Sequence, residues 1–347
     1  MESSRREFVL GVAGAALAAC GGAAQSPPAT PVAGSLAGPA ASGNGIPLRP
    51  FGKTGVDVSM IGLGGFHIGK VESEDESIRL IHEAVDNGIT FMDNCWDYNE
   101  GQSEVRMGKA LAGGYRQRVF LMTKLDGRTS DAAMGQLEQS LQRLQTDMID
   151  LVQIHEVIRP NDPQRCFAPG GAIETLVRAR DAGKLRYIGF TGHKHPDIHL
   201  AMLDAADKNG FRFDAVQMPL NVMDAHFESF EARVLPTLVE RNIAVLGMKS
   251  MGSGDILASG VVKADECLRY ALGLPTTAVI TGIDSSPVLD QALRVGRTFI
   301  PFTSAERSAL LARTLDSAQG GKHELFKTSE KYDGTAKNPH WLERAEL

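Results

Sequence analysis

The sequence predicts a (β/α)8 TIM barrel with an N-terminal hairpin, one extra C-terminal helix and a long C-terminal arm. Between about Ser59 and Ile300, short apolar runs alternate eight times with longer amphipathic stretches, the pattern of repeated strand–helix units. The runs are "VSMIGLG", "ITFMDN", "VFLMTKL", "IDLVQIH", "RYIGFTG", "DAVQMPLN", "IAVLGMKS" and "TAVITGI". Each is hydrophobic almost throughout, as a strand covered on both faces must be. A doubly wound sheet is the rival arrangement. The turn after the first run, "GLGGFHIG", lacks the G-x-G-x-x-G spacing with which such a sheet often holds a dinucleotide.

Two segments precede the barrel. Residues 1–20 read as an export signal: Arg5 and Arg6 are followed by the apolar run Phe8–Ala19, too short to span a bilayer. Paired arginines with Phe8 close behind resemble a signal for the twin-arginine export machinery. Leu17-Ala18-Ala19-Cys20 resembles a lipoprotein cleavage box, with Cys20 the acylated new N-terminus and membrane anchor. Residues 21–45 are rich in Gly, Ala, Ser and Pro with almost no charge. They cannot bury enough surface to fold and read as a flexible linker. The barrel domain is expected over residues 46–347, outside the cytoplasm, in the periplasm or anchored to a membrane.

Within the barrel, Ser73-Glu74-Asp75-Glu76 has the form of a capping box and Gly88 closes that helix. In the next clear example Ser130 can cap, and Met134, Leu137, Leu141 and Leu144 share one helical face. "GAIETLVRARDAGK" and "FEARVLPTLVERN" behave similarly, with Pro236 marking a kink or break. "SAERSALLARTL" forms the extra helix. The polar stretch Ala318–Leu347 reads as a long loop or arm.

Of the 347 residues, 43% are hydrophobic and 6% aromatic, and the net charge is −6. That balance argues against a nucleic-acid partner, which requires a basic face. The four cysteines lie far apart in the chain and show no metal-ligand or disulfide spacing, so no metal site is expected. His193, His195 and His199 resemble a metal cluster. With no thiolate or carboxylate completing a ligand spacing, they read instead as loop lining and as a helix opening at His195-Pro196-Asp197. Cys95 reads as buried packing.

In such a barrel the active site lies at the C-terminal ends of the strands. Those ends carry Asp93, Asp97 and Tyr98, then Lys124, His155 and Glu156, then Thr191, Gly192 and His193, then Gln217 and Asn221, then Lys249 and Ser250. Asp93, Tyr98, Lys124 and His155 form a chemically legible set. A tyrosine hydroxyl of pKa about 10 is a poor acid at neutral pH. A neighbouring ammonium favours the phenolate and lowers that value, and a buried aspartate holds the lysine charged. A histidine can orient a carbonyl. Such a site delivers a proton to a carbonyl oxygen while a second agent delivers hydride.

These motifs, in this order, resemble the aldo-keto reductase family over about residues 48–300. "LRPFGKTGVDVSMIGLGG" is similar to its opening hairpin and first strand, "FMDNCWDYNEGQSE" to its Asp-x-x-x-x-Tyr segment, and "LMTKL" to its lysine strand. "DMIDLVQIHEV" is similar to its histidine strand, and "AGKLRYIGFTG" and "VQMPLN" to its cofactor-side strands. The resemblance implies an NADP(H)- or NAD(H)-dependent oxidoreductase acting on an aldehyde, a ketone or the corresponding alcohol. Tyr98 would be the proton donor, Asp93 and Lys124 its partners, His155 the carbonyl orienter, and Gln217 the ligand of the nicotinamide carboxamide. Thr191, Met248, Lys249, Ser250, Gly282 and Asp284 complete the expected cofactor side, and Phe66 and Trp96 the expected substrate pocket.

Several positions depart from the family pattern. Thr191-Gly192 stands where Ser-Asn is common, and Met248 where an aromatic often stacks on the nicotinamide; a thioether still covers a ring. "GIDSSPVLDQAL" lacks the usual basic residue near the adenosine phosphate, and Asp284 would repel a 2′-phosphate. The preference between the two dinucleotides is therefore open, with Lys249 a candidate to reach the pyrophosphate. Two other readings fit the same residues: a barrel that holds the nucleotide without catalysis, as a sensor or partner subunit, and a metal-dependent hydrolase or isomerase using the histidine group.

Overall fold

The computed structural model describes residues 45–347; Arg5, Arg6, Cys20 and the linker lie outside the described residues. An antiparallel hairpin, β1 (Leu48–Pro50) and β2 (Asp57–Ser59), comes first. Eight parallel strands follow: β3 (Ile61–Gly64), β4 (Phe91–Asp93), β5 (Phe120–Leu125), β6 (Ile149–Ile154), β7 (Leu185–Thr191), β8 (Ala215–Pro219), β9 (Ala244–Met248) and β10 (Ala278–Gly282). β10 pairs with both β9 and β3, which closes the barrel. The strands coincide with the eight apolar runs. Among the described residues no helix is long and apolar enough to cross a membrane.

Two apolar layers hold the barrel together. Inside, Phe91, Phe120, Met122, Leu151 and Leu246 meet Phe51 and Val58 of the hairpin. The Phe51 ring lies 4.7 Å from that of Phe120, so the hairpin plugs the N-terminal mouth. Burying one such side chain contributes about 1.5–3 kcal/mol. Arg49 fixes the plug by donating to the backbone oxygens of Leu272 and Thr276 at 2.8 and 2.7 Å. With this end sealed, the open mouth is the one at the strand C-termini. The outer layer packs the helices Glu74–Asp86, Ser130–Arg143, Ala172–Asp181 and Pro196–Lys208, among others, against the strands.

Local signals were obeyed with two differences. Ser73 caps its helix by accepting from Glu76 N, as expected. The helix Ser130–Arg143 is capped by Thr129 rather than Ser130; the Ser130 hydroxyl instead accepts from Thr175 and Arg178. Pro236 produces a break: Phe230–Arg233 and Leu235–Glu240 are separate helices, because proline is tolerated in a first turn but not in a helix interior. The extra helix Ser304–Ala318 is present. The arm beyond it is a chain of short helical turns, not an open loop. Phe326 and Leu342 anchor it in the core, and Lys327 is held by Asp224 at 2.6 Å.

Candidate active site

One cleft of about 530 Å3 opens at the C-terminal ends of the strands, within the usual range for a small-molecule or cofactor site. Asp93, Tyr98, Lys124 and His155 stand together in it, and so do Phe66, Thr191, Gln217, Met248, Lys249, Ser250, Gly282 and Asp284. Trp96 is the exception. It is fully buried outside the cleft, donates from Nε1 to Gln139 Oε1 at 2.7 Å and packs edge-on against Trp341. It is packing rather than pocket wall. Past the end of β4 the strand alternation no longer governs direction, so its side turns outward.

Lys124 is the hub of the polar set. Its ammonium lies 2.8 Å from Asp93 Oδ2, donates to Asn94 O at 2.7 Å and reaches Tyr98 Oη at 3.3 Å. Lysine and aspartate are both almost wholly buried, and removing one partner of such a pair costs about 3–5 kcal/mol. Gln217 donates to Asp93 Oδ2 at 3.2 Å and accepts from Gln153 at 3.0 Å. The expected carboxamide ligand is thus tied into the same network.

Tyr98 differs from the expectation in sign. Burial pushes its phenol well above the usual value, and Asp93, Cys95, Asp97 and Glu156 push it further. Lys124 does not overcome them, so the hydroxyl is held protonated, the form a proton donor needs. Phe66 meets the Tyr98 ring edge-on at 5.4 Å and His155 does so at 5.9 Å. Burial holds His155 below the usual histidine value. Its Nδ1 faces Asp126 Oδ1 at 2.9 Å, Cys95 Sγ at 3.2 Å and Asp97 Oδ1 at 3.6 Å.

Lys249, Gly282 and Asp284 also line the cleft. Lys249, in a left-handed backbone conformation (φ 58°), places Nζ 4.3 Å from the Tyr332 ring centroid. Among the described residues no carboxylate lies within ion-pair distance of that ammonium. Burial, the largest cause, lowers its pKa to about 8. Gly282 closes beside His67: a Cβ there would sit 2.4 Å from His67 Nδ1. Asp284 is exposed.

The roof was not foreseen. Lys331, Tyr332, Gly334 and Lys337 of the C-terminal arm line the cleft. Glu156 accepts from Gly334 N, Thr335 N and Thr335 Oγ1 at 2.8, 2.7 and 2.6 Å. Asp333 pairs with His193 at 3.0 Å and Lys194 at 2.8 Å. Tyr332 donates to Asp255 at 2.8 Å. The three histidines in question therefore have separate duties: His193 fastens the roof, His195 caps the helix Pro196–Lys208 through Asp197 N, and His199 is buried near Gln217 O. The sequence carried one signal for the roof, the charged Glu156 and His193 at strand ends, but nothing to say what they bind.

A model of the Aldo/keto reductase family matches residues 60–267. The chain is 30% identical over 241 residues to the uncharacterized oxidoreductase YrpG of Bacillus subtilis (strain 168), covering 64% of this chain and 71% of that one. It is 33% identical over 220 residues to the aldo-keto reductase YhdN of the same organism, covering 58% and 61%. Among solved structures it is similar to an aldo-keto reductase from Bacillus halodurans in its holo form, with a TM-score of 0.64 and 22% identity over 77% of this chain and 96% of that one; at that identity the likeness shows the fold.

Proposed function

The chain belongs to the Aldo/keto reductase family, and from that premise we propose that it is an NAD(P)(H)-dependent reductase of aldehydes or ketones, or a dehydrogenase of the matching alcohols, with Tyr98 as general acid and base. The observation that carries this is the Asp93–Lys124–Tyr98 chain of contacts at 2.8 and 3.3 Å on the cleft wall, with His155 beside it. A bound nicotinamide supplies the hydride to the carbonyl carbon. The residues of the chain do the rest. His155 and Tyr98 hold the carbonyl oxygen between them, and Phe66 keeps the apolar side of the substrate in place. The proton on Tyr98 Oη passes to that oxygen as the carbon–oxygen double bond becomes single, and the phenolate left behind is steadied by Lys124 until it regains a proton. A positioned acid of this kind contributes about 10²–10⁴ in rate.

Lys249 is assigned to a dinucleotide phosphate, since a partly buried ammonium without a carboxylate partner favours an anion. Asp284 weighs against a 2′-phosphate, so discrimination between NADPH and NADH is expected to be weak. The resemblance of Arg5-Arg6 to a twin-arginine signal supports export, and that of Leu17-Ala18-Ala19-Cys20 to a lipoprotein box supports anchoring through Cys20. The deciding experiment denatures purified protein, identifies any released nucleotide, and then follows nicotinamide oxidation with a panel of aldehydes and ketones. Turnover dependent on either nucleotide supports the reading; binding without turnover on any carbonyl overturns it in favour of a non-catalytic nucleotide-binding barrel.

A further inference from the structure

Behind the catalytic wall, three strand ends bring Cys95, Asp97, Asp126 and His155 together. Each offers one ligand atom, and these atoms all lie within 4.8 Å of one another. Cys95 and Asp97 follow β4, Asp126 follows β5 and His155 follows β6, so the barrel itself sets the spacing.

Three features of the group are not explained by hydrogen bonding alone. First, Asp126, Cys95 and Asp97 converge on one nitrogen, His155 Nδ1, at 2.9, 3.2 and 3.6 Å. A ring nitrogen carries at most one hydrogen and serves one such partner. Second, Asp126 is fully buried and its Oδ2 has no hydrogen-bond partner; Asp97 Oδ1 is buried and unpartnered as well. A buried carboxylate oxygen left unpaired is costly. Third, two of the nearby cations are already committed. Lys124 pairs with Asp93, and Arg128 pairs with Asp162 while donating to the backbone oxygens of Asp126, His155 and Glu156. Glu156 is satisfied by the amides of the roof. Burial pushes both carboxyls above the usual carboxylate range, so a cation that binds them displaces their protons.

We infer that Cys95 Sγ, Asp97, Asp126 and His155 Nδ1 form a binding site for one divalent cation of the zinc class. One thiolate, one imidazole and two carboxylates are a donor set zinc accepts. With bonds of about 2.0–2.3 Å, the edges of its tetrahedron are about 3.3–3.6 Å; the contacts of Asp126 and Cys95 with Nδ1, at 2.9 and 3.2 Å, open by a few tenths of an ångström, that of Asp97 at 3.6 Å already fits, and the other separations lie within 4.8 Å. Two carboxylates and the thiolate outweigh the dication by one negative charge, which faces Lys124 and Arg128, and the protons held by the thiol and the carboxyls leave through the cleft on binding. Asp97 and His155 both line the cleft, which gives the ion an entry path.

The site also bears on the reaction. With its Nδ1–H donated to an ionised Asp126, a neutral His155 has only a lone pair on Nε2. A cation on Nδ1 forces the ring hydrogen to Nε2, where it can be donated to a carbonyl oxygen; fixing a tautomer through the opposite nitrogen is general for metal-bound histidine. The inference stands without the reductase reading, because metal content is measured with no substrate present.

The test uses full-length protein, purified without chelator, metal-stripped and then titrated with zinc or cobalt alone. The expected result is one ion per chain, with cobalt giving the near-ultraviolet thiolate charge-transfer band and the visible bands of tetrahedral coordination. Asp126→Asn and Cys95→Ala, each checked for a retained circular dichroism spectrum, should each weaken binding at least tenfold, and Cys95→Ala should abolish the charge-transfer band. Should one variant not fold, the other gives the same readout. Sub-stoichiometric binding to the parent, or stoichiometric binding unchanged in both variants, overturns the site; Asp126 is then a protonated carboxyl donating to His155 Nδ1.

Discussion

The ammonium of Lys124 stands 3.3 Å from the hydroxyl oxygen of Tyr98, across two neighbouring strands of the barrel. The hydroxyl is what matters for proton delivery. Tyr98→Phe should lower turnover on a reducible aldehyde by about 10²–10⁴ and leave nucleotide binding, read by fluorescence titration, within about twofold. Near-normal turnover would remove Tyr98 from its assigned role.

Lys249 titrates in a useful range. Its pKa, lowered to about 8 by burial, means the ammonium is present below that pH and is lost above it. If it holds a phosphate, binding raises its pKa, so nucleotide affinity falls as pH climbs from about 8. Lys249→Met should flatten that dependence and weaken binding about ten- to a hundredfold at neutral pH, from the about 1.5–3 kcal/mol of a charge-assisted hydrogen bond. Side-by-side dissociation constants for NADPH and NADH, measured with the parent, should differ by less than about tenfold, roughly 1.4 kcal/mol.

Trp96 is placed in the packing layer, and its substitution should show that. Trp96→Phe removes the hydrogen bond to Gln139 and leaves a small cavity. It should lower unfolding stability by about 1–3 kcal/mol while keeping KM for the carbonyl substrate close to that of the parent. A large rise in KM at unchanged stability would return Trp96 to the pocket wall.

The roof is fastened through Asp333, paired with both His193 and Lys194. Asp333→Ala should speed nucleotide release, followed by stopped-flow fluorescence, by about tenfold or more, again from the about 1.5–3 kcal/mol of such contacts. An unchanged release rate would mean that the nucleotide leaves by another side of the cleft.

The leader makes two separable statements. Replacing Arg5 and Arg6 with lysine should leave folded, active enzyme in the cytoplasm. Cys20→Ala should spare export but make the protein soluble on fractionation, where the parent sediments with membranes, since acyl chains hold a protein at about 0.8 kcal/mol per buried CH₂. A parent that is soluble and begins after Cys20 would leave export alone standing.

The barrel was legible because periodicity and length report secondary structure directly, and a parallel barrel leaves few choices of topology. Asp93, Tyr98, Lys124 and His155 could be named because strand ends in such a barrel share one face. Their neighbours could not. Glu156 and Thr335 are far apart in the chain, and only the path of the arm joins them. Cys95 looked like a packing residue and Asp126 carried no signal at all, since each contributes one atom to a group built from separate loops. The net environment of Tyr98 was also illegible: Lys124 can be seen in a sequence motif, but the burial that outweighs it, with the acidic groups at the ends of β4 and β6, cannot.

The segment that roofs the cleft, residues 331–337, follows every barrel strand in the chain. During synthesis the strands are therefore laid down before the stretch that narrows the exit. A ligand that enters before this stretch docks does not have to pass Lys331, Tyr332 and Lys337, whereas one that leaves afterwards does. The order in which the chain is made thus separates easy loading from slow loss, a separation that equilibrium affinity alone does not provide.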